Sequence, residues 1–191
     1  MGLSRICLWD KVLMHLLGCL FRLDSDLSLH RILEGVVIPN GTSWTTDNKT
    51  MYFADSPTQC VFAYDFDAAN GTLSNKRVFW KVTDTYPDSD GVPDGHALDT
   101  EDHLWQCING TGQCVRINPK GEVVAEIQLP TKGITCPRFV DEDLYITTAE
   151  GDDEHAGSLF KVHVGVKGRE MYKFKYTPSE EAYTSKTTTT S

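Results

Sequence analysis

The chain has 191 residues, enough to bury one real core, and carries 27 acidic against 18 basic side chains for a formal charge of −9. That balance excludes phosphate backbones and anionic lipid as partners, because both require clustered Lys and Arg. The nearest basic group, Lys167, Arg169, Lys173 and Lys175, is interrupted by Glu170 and by apolar residues and reads as solvated strand surface.

Residues 1–16 fit no periodic pattern and are expected to be an irregular start. The apolar run from Val12 to Phe21, broken by His15 and preceded by Asp10 and Lys11, is too short to span a bilayer and reads as neither anchor nor signal peptide. From there on, short segments rich in Val, Ile, Tyr, Phe and Trp recur between Gly, Asn and Asp, and no long stretch carries a helical period. The expected strands are 19–23, 29–33, 42–45, 50–54, 60–66, 76–80, 96–99, 104–108, 113–118, 123–128, 137–140, 144–148 and 158–163. Residues 177–191, ending in Thr187-Thr188-Thr189-Thr190-Ser191, offer almost nothing to bury and are expected to be disordered.

Six cysteines without C-x-x-C spacing suggest neither a disulfide scaffold nor a zinc or redox site, and a reducing cytoplasm suits them. Four N-x-T sequons begin at Asn40, Asn48, Asn70 and Asn109 and would suit a secreted chain. Three of them read Asn-Gly-Thr, however, and Asn-Gly is first of all a turn, so turn chemistry is the simpler cause.

The strands repeat. Asn40-Gly41 recurs as Asp94-Gly95 at an offset of 54 residues (94 − 40), and Gln59-Cys60-Val61 recurs as Gln113-Cys114-Val115 at the same offset (113 − 59). A third copy begins near Thr135, with Leu144-Tyr145 matching Leu104-Trp105, and Gly18 to Leu23 matches one strand of an earlier copy. Units of this length with about four strands each are the mark of propeller blades, which bury their faces only against neighbouring blades. Three copies and a fragment leave one blade face uncovered, so residues 17–176 are expected to form an incomplete all-β propeller that self-associates through its open edge.

Several blocks agree in order with a known family. They are Ile38-Pro39-Asn40-Gly41-Thr42-Ser43-Trp44, Met51 to Ser56, Tyr64 to Asp67, Asn70 to Arg77, Gly91-Val92-Pro93-Asp94-Gly95, Leu104-Trp105, Leu144 to Ala149 and Ala156 to Phe160. In these the chain resembles the later blades of the gluconolactonase, regucalcin and senescence-marker-protein family. The resemblance implies a six-bladed propeller that hydrolyses sugar lactones with a divalent metal near its axis. It further implies a Glu ligand from the first blade, an Asn from the Asn-Gly block, matched by Asn40, and an Asp from the Pro-Asp-Gly block, matched by Asp94, which would also be the general base.

Calcium suits a carboxylate and a carboxamide best, with zinc or manganese as alternatives. The repeat supports the pairing independently, since equivalent positions in consecutive blades should point at one axis. Gly41 and Gly95 are expected to be where the chain turns tightly to present these side chains. The first-blade Glu and the early-blade Arg and Asn that contact substrate have no counterpart, so the chain is expected to be a truncated lactonase with an incomplete site. The alternative is a non-catalytic propeller fragment or interaction module.

Other constellations fail. Asp88-Ser89-Asp90-Gly91 lacks the end ligands of an EF-hand loop, and Ser43 lacks the second glycine of a nucleophile elbow. His96, His103 and His155 form no zinc triad; His96, close after Pro-Asp-Gly, reads as a packed or rim residue. Cys60 and Cys114 read as small core residues, and Trp44, Trp105 and Tyr145 as packing between blades.

Overall fold

The computed structural model describes residues 18–174, and these are all-β apart from a 3-10 turn and one short helix. The expectations for residues 1–16 and 177–191, and for most of the apolar run at 12–21, lie outside the described residues.

Every expected strand is present. Strands β1 (Gly18–Leu23) and β2 (Leu29–Val36) pair as a two-stranded sheet. Strands β3 (Pro39–Trp44), β4 (Thr50–Asp55), β5 (Cys60–Asp67) and β6 (Thr72–Lys81) form a four-stranded antiparallel meander. A second such meander comprises β7 (Val92–Leu98), β8 (Leu104–Asn109), β9 (Gln113–Ile117) and β10 (Val123–Gln128). The last sheet has three strands, β11 (Ile134–Val140), β12 (Asp143–Thr148) and β13 (Leu159–His163). The match of Gly18 to Leu23 with the strand that became β9 holds in space, because β1 pairs with β2 as β9 pairs with β10.

The second strand of each full meander is apolar on both faces, and alternation sends successive side chains to opposite sides. On β4, Met51 and Phe53 pack with Val36 of β2, whereas Tyr52 and Ala54 pack with Leu98, Leu104 and Ile108 of the next meander. On β8, Leu104 and Ile108 look back, while Trp105 and Cys107 join Ile134, Leu144 and Ile146 of the last sheet. The core is thus three layers between four stacked sheets, with no closed barrel. Cys60 and Cys114 are buried, and the cysteines among the described residues are free. Trp105 meets Phe139 edge-on across two sheets, and Trp44 packs into the layer beneath the first sheet.

Two Asn-Gly pairs are turns, with Gly71 at φ +62° and Gly110 at φ +95°. The third is not. Asn40-Gly41 lies inside β3, and Asp94-Gly95 lies inside β7. Neither Gly41 nor Gly95 has positive φ; each is a glycine because the neighbouring sheet comes too close for a side chain. A Cβ on Gly41 would stand 2.5 Å from His96 Nδ1, and one on Gly95 would stand 2.9 Å from Cys136.

After β13 the chain turns back across the late ends of the innermost strands. Thr100 N donates to Lys167 O at 2.9 Å, and Arg169 N donates to Leu98 O at 3.0 Å. The Arg169 guanidinium donates to Trp44 O and, at 2.7 Å, to Asn48 Oδ1, and Lys167 pairs with Asp141 at 2.9 Å. Residues 164–172 are therefore a strap tied to three sheets, not the solvated strand face expected from the basic residues there.

Candidate functional site

Strands β3, β7 and β11 lie side by side as the innermost strands of their sheets. Each carries a β-bulge at the same place. The register of β3 on β4 jumps from Pro39 to Thr42, that of β7 on β8 from Pro93 to His96, and that of β11 on β12 from Ile134 to Pro137. The bulged pairs are Asn40-Gly41, Asp94-Gly95 and Thr135-Cys136. A bulge bends its strand and re-aims one side chain out of the pleat. Asn40 and Asp94 accordingly line one cavity of about 570 Å³, together with Cys136, Arg138 and Tyr145. Thr135, at the third equivalent position, instead donates to Thr147 O at 3.0 Å.

Burial raises the Asp94 pKa, and donation from the Asn40 side chain, the Gly95 N–H and the Asn109 side chain only partly offsets it. No cationic side chain among the described residues contributes to that balance. Asn40 Nδ2 also donates to Ser56 Oγ at 3.2 Å, and Ser56 Oγ donates to Pro93 O at 2.7 Å. The Asn40 amide nitrogen is thus held by Ser56, which leaves Oδ1 as the ligand atom. Asn109 Nδ2 donates to Ile134 O at 3.1 Å, tying the residue to β11 as well.

His96 is more than a packed residue. Its ring is 6% exposed, its Nδ1 lies 3.0 Å from Gln106 Oε1, and burial lowers its pKa to about 4, so it is neutral at physiological pH. His96 lines the cavity with Asn40 and Asp94 and also a second cavity of about 440 Å³, whose far end is formed by the strap. Thr42, Arg138 and Met171 are likewise shared, so the two spaces meet. Tyr145, expected between blades, instead lines the first cavity, with Lys161 of its own sheet 5.8 Å from its ring centre. Cys136 and Arg138 were invisible as site residues because the sequence repeat fades in the third copy; only the bulge register aligns them. Among the described residues no three His, Cys, Asp or Glu side chains gather into a metal cluster, and no helix is long and apolar enough to cross a membrane.

Residues 9–150 match the family model described as "SMP-30/Gluconolactonase/LRE-like region". Regucalcin from Danio rerio is 36% identical over 171 residues, covering 82% of this chain and 56% of the relative. Pentonolactonase XacC from Haloferax volcanii is 32% identical over 171 residues, covering 82% and 57%. Among solved structures, a calcium-binding protein, regucalcin from Agrobacterium tumefaciens, superposes with a TM-score of 0.71 at 25% identity, covering 84% of this chain and 55% of the other. The chain spans about half the length of the curated relatives it matches. With the match across residues 9–150 and the shared sheet architecture, the chain belongs to the SMP-30/gluconolactonase/LRE-like family.

Proposed function

We propose that Asn40 and Asp94 form part of the divalent-cation site of a sugar-lactone hydrolase built as a six-bladed propeller, of which residues 18–174 are three blades and part of a fourth. The observation that carries this reading is that two equivalent bulges on adjacent innermost strands aim a carboxamide and a carboxylate into one cavity. The donor set fits a hard cation: both groups offer oxygen, and the half-buried carboxylate pairs with no cationic side chain, although Arg138 lines the same cavity. Calcium suits such oxygen ligands first, with zinc and manganese as alternatives.

When bound, a divalent cation supplies polarisation of the lactone carbonyl and acidification of water. Asp94 would take the proton of the attacking water as well as hold the cation. Asn40, held by Ser56, presents its oxygen without adding charge. Gly41 and Gly95 admit neighbouring side chains close to the backbone and so keep the two bulges together. Two protein ligands bind weakly, so full activity requires further groups, including a carboxylate, from outside residues 18–174. The free thiols suit a reducing compartment such as the cytoplasm. The test is hydrolysis of aldonolactones followed by pH-stat with added calcium, zinc or manganese. Cation-dependent turnover that disappears in Asp94→Asn supports the reading, and turnover indifferent to both cation and Asp94 defeats it.

A second reading, self-association through the open sheets, draws on the exposed apolar residues Phe21, Leu23 and Leu29 on the first sheet and Val140 and Leu159 on the last. Sedimentation of the chain as a dimer, with dissociation in Leu29→Lys or Leu159→Lys, would support it. A monomer at all concentrations would remove it.

A further inference from the structure

A single hydroxyl joins the two bulges that carry Asn40 and Asp94. Ser56, the first residue of the 3-10 turn that follows β4, is 4% exposed. Its backbone N–H donates to Ile38 O at 3.1 Å, on the segment entering β3, and its Oγ donates to Pro93 O at 2.7 Å, one residue before Asp94. The same Oγ lies 3.2 Å from Asn40 Nδ2. Ser56 is therefore tied to the β3 side through its backbone and to β7 through its side chain.

Counting hydrogens decides which way the Asn40 amide faces. Two oxygens 2.7 Å apart need a hydrogen between them, and the Pro93 carbonyl has none, so the one hydroxyl hydrogen of Ser56 points at Pro93. Toward Asn40 the hydroxyl has only lone pairs to offer, which an amide NH2 meets and an amide oxygen does not. The flip that would turn Nδ2 into the cavity and Oδ1 onto Ser56 sets oxygen against oxygen beside a buried side chain. Without the hydroxyl both orientations are open, and the ligand oxygen faces the cavity only part of the time.

The link belongs to one seam and not to the next. At the 54-residue offset Gly110 holds the place of Ser56 (110 − 56), so the second meander has no equivalent hydroxyl. The seam between β7 and β11 is tied instead by Asn109 Nδ2 to Ile134 O at 3.1 Å, and the bulge beyond it carries Thr135. Of the two seams, the hydroxyl stands at the one where both adjoining bulges offer an oxygen to the cavity. We propose that Ser56 is a positioning residue that acts through Asn40: its hydroxyl fixes the amide with Oδ1 toward the cavity and holds the two bulges at one separation. This role rests on the cation site proposed above. Calcium accepts its oxygens at about 2.3–2.6 Å, so orientation and spacing both matter, and loss of a group that orients a metal ligand typically costs about 10–100-fold in affinity.

The experiment uses the full chain, labelled in its asparagine side-chain amides, and needs no turnover; the Asn40 signals are identified by their loss in Asn40→Asp. Ser56→Ala, checked for fold by circular dichroism, is expected to shift the Asn40 Nδ2 signals and to speed their exchange with water. Ser56→Thr, which keeps a hydroxyl, is expected to hold them near wild type. Thr58→Ala removes a hydroxyl from the same turn, one that donates to Asp55 O at 2.7 Å, and is expected to leave them in place. Calcium affinity by calorimetry is expected to fall at least tenfold in Ser56→Ala and to be kept in Thr58→Ala. Unmoved Asn40 signals in Ser56→Ala, the same change in Thr58→Ala, or an unchanged calcium affinity in Ser56→Ala would overturn the proposal. If wild type binds no calcium, the cation reading fails, and the amide comparison alone decides whether Ser56 orients Asn40.

Discussion

The two central sheets and the two flanking ones are made from the same repeat but live under different conditions. Strands β4 and β8 have both faces covered, and Phe53, Leu104 and Ile108 are almost wholly removed from solvent. In the flanking sheets one face has no neighbour among the described residues, and Leu29 and Leu159 are each 63% exposed. A blade is therefore not a stable unit by itself: the same alternating pattern yields a core only where a second sheet lies against it. The candidate site follows the same division. Asn40 and Asp94 come from the innermost strands of the two complete sheets, where the bulges are braced on both sides, while the third bulge, next to the open face, carries Thr135.

The sharpest way to break this comparison is a matched pair of truncations. Leu104→Ala, in the layer between the complete sheets, is expected to cost about 2–5 kcal/mol in denaturant unfolding. Leu159→Ala on the open sheet should stay within about 0.5 kcal/mol. Equal losses at both positions would mean that the flanking sheets are covered in solution.

A somewhat smaller effect is expected from acid. The folded-state pKa of His96, about 4, lies below the ordinary histidine value near 6.5, so between these values the unfolded chain binds more protons than the folded one. Stability contributed by the neutral ring is full above about pH 6.5 and lost as the pH falls toward 4, on the order of 3 kcal/mol in all. Unfolding midpoints against pH should show this slope in wild type and lose most of it in His96→Phe. The same slope in both proteins would place the titration elsewhere.

The mildest test concerns the seam between a complete and an open sheet. Gly95→Ala pushes a methyl group to within 2.9 Å of Cys136, and overpacking of this kind costs about 1–3 kcal/mol. The contact includes the Cys136 Cα, so the backbone of β11 must shift, and the Asp94 environment beside it is expected to be disturbed with it. An unchanged Asp94 carboxyl resonance in this variant would show that the glycine is not what holds the bulge in place.

The layered strands were readable from the sequence because period-two alternation between turn residues is a local signal. Strands 104–108 and 123–128 match their observed spans within a residue. The innermost strands were read too short: expectation began at Thr42 and His96, whereas β3 begins at Pro39 and β7 at Val92. The reason is physical. Asn-Gly and Pro-Asp-Gly carry turn chemistry in isolation, and only the closeness of the next sheet, unseen in one strand's residues, makes glycine necessary inside an extended segment. The strap escaped for a related reason, since Arg169 is held by Trp44 and Asn48, more than 100 residues away in sequence. The equivalence of Asn40 and Asp94 was visible in the 54-residue offset, and their shared cavity follows from it. The buried contact of His96 with Gln106 was not visible, because it forms across a strand pair.

The convergence of Asn40 and Asp94 on one cation is tested most directly by a calcium titration of protein labelled in side-chain amides and carboxyls. The account predicts that the Asn40 amide and the Asp94 carboxyl resonances move together along one binding curve, and that Asp94→Asn abolishes the Asn40 response. Calcium bound with Asn40 unmoved, or bound equally well in Asp94→Asn, would contradict it.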